Sequence, residues 1–147
     1  YLDPVAEWAP ELARTGRLPY PVDRGRVAYA SRRDLADAAA AALLQEGHEG
    51  RVYELTGPEA LSMPELAEML SEATGHSISY ERVSELKFAE ICRESGTPEH
   101  VVEILVSLYR AVDEGEFAMA TDHVEQLTGS PAESVRSYLS RVCSEVE

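Results

Sequence analysis

Tyr29 and Arg33 come nearest to a catalytic pairing in this 147-residue chain. A cation one helical turn from a phenol lowers the tyrosine pKa and readies it for proton transfer. The two straddle a junction, however: Arg26-Val27-Ala28-Tyr29-Ala30 reads as an extended segment and Ser31 as the cap of the helix after it, so packing is the expected role. Lys87, the single lysine, has Val83 four residues before it and forms no such pair. His48, His76, His100 and His123 lack the spacing that brings three or four metal ligands together, and are expected to be solvated surface residues. Glu65 with Glu68 and Glu90 with Glu94 fall three and four residues apart, which in so acidic a chain marks a solvated helix face rather than a hydrolase pair. A phosphate cradle needs closely spaced glycines whose N–H groups face the ligand. The one strand-to-helix junction, Thr56-Gly57-Pro58-Glu59, offers a single glycine beside a proline without a donor and a repelling acid.

The elements around these residues are written mainly in caps and breakers. Asp3-Pro4 opens a helix that Gly16 closes, and Pro10 should kink or divide it. Residues 17–25, with Pro19, Pro21 and Gly25, read as an irregular loop. An Ala-rich helix follows from Arg33 to Leu44. Arg51 to Leu55 reads as a buried strand, and Ser62 with Glu65 forms a capping box before a helix ending at Gly75. Ser77 to Val83 alternates at period two, as a half-exposed strand does. Helices are then expected from Ser84 to Ser95, from Val101 to Val112, from Thr121 to Thr128 and after Ser130-Pro131. The count is about seven helices against three short strands, a helix-rich α/β arrangement.

Composition narrows the partners. With 27 acidic against 13 basic side chains and a formal net charge of −14, the surface repels nucleic-acid backbones. There is no 18-residue apolar stretch and no charged-then-apolar leader, so neither a membrane span nor secretion is expected. Cys92 and Cys143 form no C-x-x-C pair and suit a reduced, cytoplasmic setting. Twelve of the thirteen cations are arginine, a bias common in high-GC bacterial sequences.

The stretch from Arg26 through Gly57-Pro58 and Ser62-Met63-Pro64-Glu65 to Gly75-His76 resembles the C-terminal half of NmrA-like atypical short-chain dehydrogenase/reductases. Its nearest likeness is to the NAD(P)H:quinone oxidoreductase and azoreductase-like members. The likeness continues through Ser77-Ile78-Ser79-Tyr80, Gly96-Thr97-Pro98, Thr121-Asp122 and Thr128-Gly129-Ser130-Pro131, and so covers nearly the whole chain. It implies the C-terminal part of a Rossmann-type NAD(P)-binding protein, with residues 1–147 as one substrate-side unit and the N-terminal dinucleotide-binding half absent. Arg51 to Leu55 would be the last strand of the parent sheet. Tyr1 matches an aromatic-Tyr-x-Glu-Asn signature near the nicotinamide, although Pro4 stands where Asn is usual.

The resemblance also implies chemistry. NADPH or NADH in the full-length parent would reduce a quinone-like small acceptor by direct hydride transfer, and no cofactor is expected for this chain alone, which would be inactive. Tyr1, Trp8, Tyr20, Tyr29 and Phe117 lie on elements that would flank the cleft; Tyr1, Trp8, Tyr29 and Phe117 are the substrate-pocket candidates, with no catalytic or metal-ligating residue assigned. Two other readings stay open: a non-catalytic NmrA-like regulator that senses dinucleotides through protein partners, and an autonomous α-rich association domain. A homodimer through the unpaired edge at Arg51 to Leu55, or through the Val101–Val112 helix, is the expected assembly.

Overall fold

A computed structural model describes residues 1–144 of the chain. Seven helices and four short strands alternate among these residues: α1 (Asp3–Thr15), β1 (Arg17–Tyr20), β2 (Arg26–Val27), α2 (Arg32–Leu44), β3 (Leu61–Ser62), α3 (Met63–Thr74), β4 (Ser79–Arg82), α4 (Glu85–Glu94), α5 (Glu99–Asp113), α6 (His123–Thr128) and α7 (Val135–Ser144). The strands form two separate pairs. β1 runs parallel to β4 with Leu18 opposite Tyr80, and β2 runs antiparallel to β3 with Val27 opposite Leu61.

The main core lies where α1, α3, α7 and β1 converge. Leu2, Leu18, Leu66, Leu70, Val135 and Leu139 are all but inaccessible there. Burying a leucine of this kind contributes about 1.5–3 kcal/mol. The stripes that supply it are those of the sequence: Leu66, Ala67 and Leu70 on α3, and Val135, Tyr138 and Leu139 on α7. A smaller cluster, with Ala38, Val124 and Leu127 at its centre, joins α2 to α6.

Local chemistry sets the element ends. The Ser62 hydroxyl accepts from the Glu65 N–H at 3.5 Å while the Glu65 carboxylate accepts from the Ser62 N–H at 2.7 Å, the reciprocal box the sequence predicts. Arg26 adds an ion pair to the same carboxylate at 2.7 Å, which ties β2 to the start of α3. Ser31 caps α2 as expected, accepting from Asp34 at 3.1 Å. At the C-terminal end of α5, Asp113 accepts from the N–H groups of Asp23, Arg24 and Gly25 at 2.7, 2.9 and 3.0 Å. Burial pushes this carboxyl up, but the three donors outweigh it and hold the group below the usual range.

Five expectations are corrected. Pro10 does not divide α1, which runs on through it to Thr15 with the proline on an exposed face. Asp3 is not the cap of α1: it is the first helical residue, and its carboxylate accepts from the Arg32 N–H at 3.0 Å, joining the starts of α1 and α2. Residues 17–20, read as loop because of their prolines, form β1; a two-stranded ladder is all edge and tolerates Pro19. Arg51 to Leu55 pairs with no strand among the described residues, and Val52 is 81% exposed. On one side that segment is pinned by side chains: Glu54 N–H donates to His123 Nδ1 at 2.9 Å, and the Thr121 hydroxyl donates to the Glu54 carbonyl at 2.5 Å. The main-chain groups of Tyr53 and Leu55 meet no partner among the described residues. His48 joins the same pin, with Nδ1 2.7 Å from the Tyr53 hydroxyl, so His48 and His123 are engaged rather than merely solvated.

The bonds of the α3 box, the Ser62 N–H first and Arg26 after the Ser62 hydroxyl, hold the Glu65 carboxyl down at about 2. A depressed folded-state pKa gives stability that is present above the unfolded value of about 4.3 and is lost as pH falls toward the folded one. Glu65→Gln should therefore cost about 1 kcal/mol at pH 7, the scale of a helix-cap contact. The difference from the parent chain should close between about pH 4.3 and pH 2. Urea unfolding curves for both proteins across that interval provide the check; a gap independent of pH would refute the assignment.

Candidate functional site

β1 leaves α1 at Gly16 and delivers Tyr20 to the end of the ladder, where its ring faces the α4–α5 pair. The Tyr80 hydroxyl on β4 fixes this end of the strand, donating within reach of the Val22 carbonyl and the Tyr20 carbonyl, the latter at 3.0 Å. Phe88 comes from the buried face of α4 and Tyr109 from that of α5. Tyr20 and Tyr109 stack at 4.5 Å between centroids, with 26° between planes. Phe88 meets the Tyr109 ring edge-on at 5.1 Å and 81°, and lies 5.7 Å from Tyr20. Pairs of this geometry contribute about 0.5–1.5 kcal/mol beyond the area they bury.

These rings floor a cleft of about 610 Å³ between α1 and the α4–α5 pair. Trp8 and Leu12 form one wall, Ile91, Cys92 and Leu105 the other, and Glu11, Thr15, Arg17, Glu81, Lys87, Glu94 and Thr97 the rim. The volume falls in the range of small-molecule sites, as does an aromatic floor with a polar rim.

Electrostatics limits what the floor can do. Burial pushes the Tyr20 phenol up to about 12, against a smaller lowering from its hydrogen bond with Tyr109. Tyr109 is pushed well above the usual tyrosine value, by burial first and then by Tyr20. Tyr29, close enough to Tyr20 to feel its charge, is also driven up by burial. All three phenols are neutral at working pH, able to stack and hydrogen-bond but not to act as phenolate bases. Burial likewise raises the Cys92 thiol, which keeps it protonated, and both cysteines are unbonded. Among the described residues no group of three His, Cys, Asp or Glu side chains could hold a metal. The chemistry on offer is the binding of a flat ring system.

The structure spreads the four sequence candidates apart. Trp8, 41% exposed, stands on the cleft wall. Tyr1 is outside it, 71% exposed, with the Arg32 guanidinium 5.4 Å above its ring. Tyr29 is buried behind the floor, and the Gly57 backbone packs so closely on its carbonyl that any side chain at Gly57 would clash. Arg33 pairs with Asp37 at 3.8 Å rather than activating Tyr29. Phe117 is 38% exposed, and its carbonyl accepts from Ala28 N–H at 2.9 Å. Phe88 and Tyr109 were not singled out by the sequence, where each reads as one more apolar stripe position. The short Gly96-Thr97-Pro98 break was the available signal: it forces α4 and α5 to pack against each other, which brings aromatics on facing stripes together.

No protein-family model matches the chain. It is 29% identical to an NAD(P)H azoreductase from Xenophilus azovorans over 94% of this chain and 48% of that protein. It is 30% identical to an NmrA-like family domain-containing oxidoreductase from Aspergillus flavus over 90% of this chain and 44% of that protein. The crystal structure of an NADPH-dependent quinone oxidoreductase from Escherichia coli superposes with a TM-score of 0.91 at 28% identity, covering 97% of this chain and 52% of that one. The chain spans about half the length of the curated relatives it matches.

A phenol pKa raised by folding stabilises the folded state below the unfolded value of about 10 and loses that contribution as pH climbs through the folded value. In a spectrophotometric titration Tyr20, Tyr29 and Tyr109 should stay silent through pH 10–11. Tyr20 should ionise only near pH 12, and Tyr29 and Tyr109 well above the ordinary phenol range or together with alkaline unfolding. Tyr109→Phe, which keeps the stack and removes one hydroxyl, should cost about 1 kcal/mol. All seven tyrosines titrating near pH 10 would contradict the buried floor.

Proposed function

We propose that this chain, the counterpart of the C-terminal part of the NmrA-like, Rossmann-type NAD(P)H-dependent reductases, supplies the acceptor-binding wall of a reductase for quinone-like small molecules. The observation that carries the reading is the cleft floored by Tyr20, Phe88 and Tyr109, whose size and flatness suit a planar acceptor. The Thr56–Glu59 turn offers the dinucleotide phosphates little: the Gly57 N–H is spent on the Ala28 carbonyl at 3.2 Å, and Pro58 has none. NAD(P)H, when bound, would supply the hydride, held by residues outside this chain. What these residues do is stack the acceptor, seat it beside Trp8 and exclude water from one of its faces. Because burial raises both floor phenols, they are weak proton donors, and solvent is the source of the proton that the reduced acceptor takes up. The unpaired main chain at Tyr53 and Leu55, with the exposed Leu43 and Leu44 at the end of α2, supports an edge where the dinucleotide-binding part continues the sheet.

The test uses the full-length reading frame that carries this chain. NADPH oxidation with menadione should proceed in steady turnover, and Trp8→Ala should raise KM for the quinone about 3–10-fold while leaving the KM for NADPH unchanged, the scale of one lost stacking contact. NADPH bound stoichiometrically without turnover would instead favour the dinucleotide-sensing regulator. Turnover insensitive to Trp8 would place the acceptor elsewhere.

A further inference from the structure

Two helices end at the cleft. α1 stops at Thr15 and α4 at Glu94, and both residues line it. A helix C-terminus carries roughly half a negative charge, so the cleft lies where two such ends meet. The rim charges do not cancel this. Arg17 is held by Glu81 at 3.5 Å and Lys87 by Glu90 at 3.2 Å, whereas Glu94 has no ion-pair partner among the described residues. Glu11, also on the rim, is neutralised by Arg14 at 2.6 Å. The N-terminus of α5 is the opposing positive end, but Glu99 occupies its first turn and binds Arg93 in a two-point pair at 2.5 and 2.8 Å. Of the cleft rings Trp8 is the accessible one, with Tyr20, Phe88 and Tyr109 buried beneath it, and whereas arginines stand over Tyr1 and Tyr138, no cation among the described residues covers Trp8. The net charge of −14 concentrates cations around the whole molecule.

We propose that this cleft selects a planar aromatic cation, a ring system with delocalised positive charge, over neutral and anionic molecules of the same shape. The inference rests on the reading of the cleft as the acceptor site and adds the charge of its occupant. The accessible Trp8 ring and an unpaired carboxylate attract such a cation together, and a flat ring keeps the stacking that a compact ammonium ion would forgo.

Three phenazines of nearly equal shape test it: N-methylphenazinium, phenazine and phenazine-1-carboxylate, titrated into the 147-residue chain by calorimetry, with the fluorescence of Trp8, the single tryptophan, reporting occupancy of the cleft. At low salt the cation should bind about tenfold more tightly than neutral phenazine, and the anion more weakly than either. Glu94→Gln should weaken the cation about threefold and leave phenazine unchanged, and 0.5 M salt should erase most of the difference. Glu125→Gln, on the exposed face of α6, should change nothing, which separates the cleft from the overall field. Phenazine binding as tightly as the cation, or Glu125→Gln acting as strongly as Glu94→Gln, would overturn the charge selectivity while leaving the acceptor site in place. No change in Trp8 fluorescence with any of the three would overturn both.

Discussion

The cleft depends on a four-residue parallel ladder, Arg17–Tyr20 against Ser79–Arg82. An isolated two-stranded ladder is marginal in water. This one is clamped: Ser79 N–H donates to the Gly16 carbonyl at 3.0 Å, Val83 N–H donates to the Tyr20 carbonyl at 3.2 Å, and the Ser71 hydroxyl both accepts from Ile78 N–H at 2.9 Å and donates to the Ile78 carbonyl at 3.0 Å. Leu18 and Ile78 anchor it in the core. With the ladder fixed, α1 and α4 diverge from its two ends, and the space between them becomes the cleft. Tyr20 then has one place to go, against Tyr109 and Phe88.

The helices were legible because their ends are local chemistry. Ser62 with Glu65, Ser31 with Asp34 and the glycines after α1, α3 and α6 act over three or four residues, and the structure uses each. The strands were not, because pairing is long-range. β1 lay hidden behind Pro19 and Pro21, and its partner is some sixty positions away. Arg51 to Leu55 has a strand's composition without a partner among the described residues, so Val52 is left exposed while Tyr53 and Leu55 pack against the Ala38, Val124 and Leu127 cluster. The site was half legible for the same reason. Trp8 and Tyr20 stood out as aromatics, whereas Phe88 and Tyr109 became a floor only once α4 folded back on α5.

The chain matches the C-terminal part of Rossmann-type, NAD(P)-binding relatives over about half their length, and its described residues form seven helices and short strands. Among the described residues the main-chain groups of Tyr53 and Leu55 find no partner, and Val52, Leu43 and Leu44 are exposed. The apolar cleft lies on other elements, α1, β1, α4 and α5. Residues 51–55 and the cleft are therefore separate features of the fold.

The most direct measurement is a titration of the isotope-labelled chain with 1,4-naphthoquinone, followed by amide and aromatic resonances. The account predicts saturable shifts confined to Trp8, Tyr20, Phe88, Tyr109 and their neighbours, with residues 51–56 unmoved. Shifts centred instead on 51–56 or on α2, with the aromatic floor silent, would contradict it.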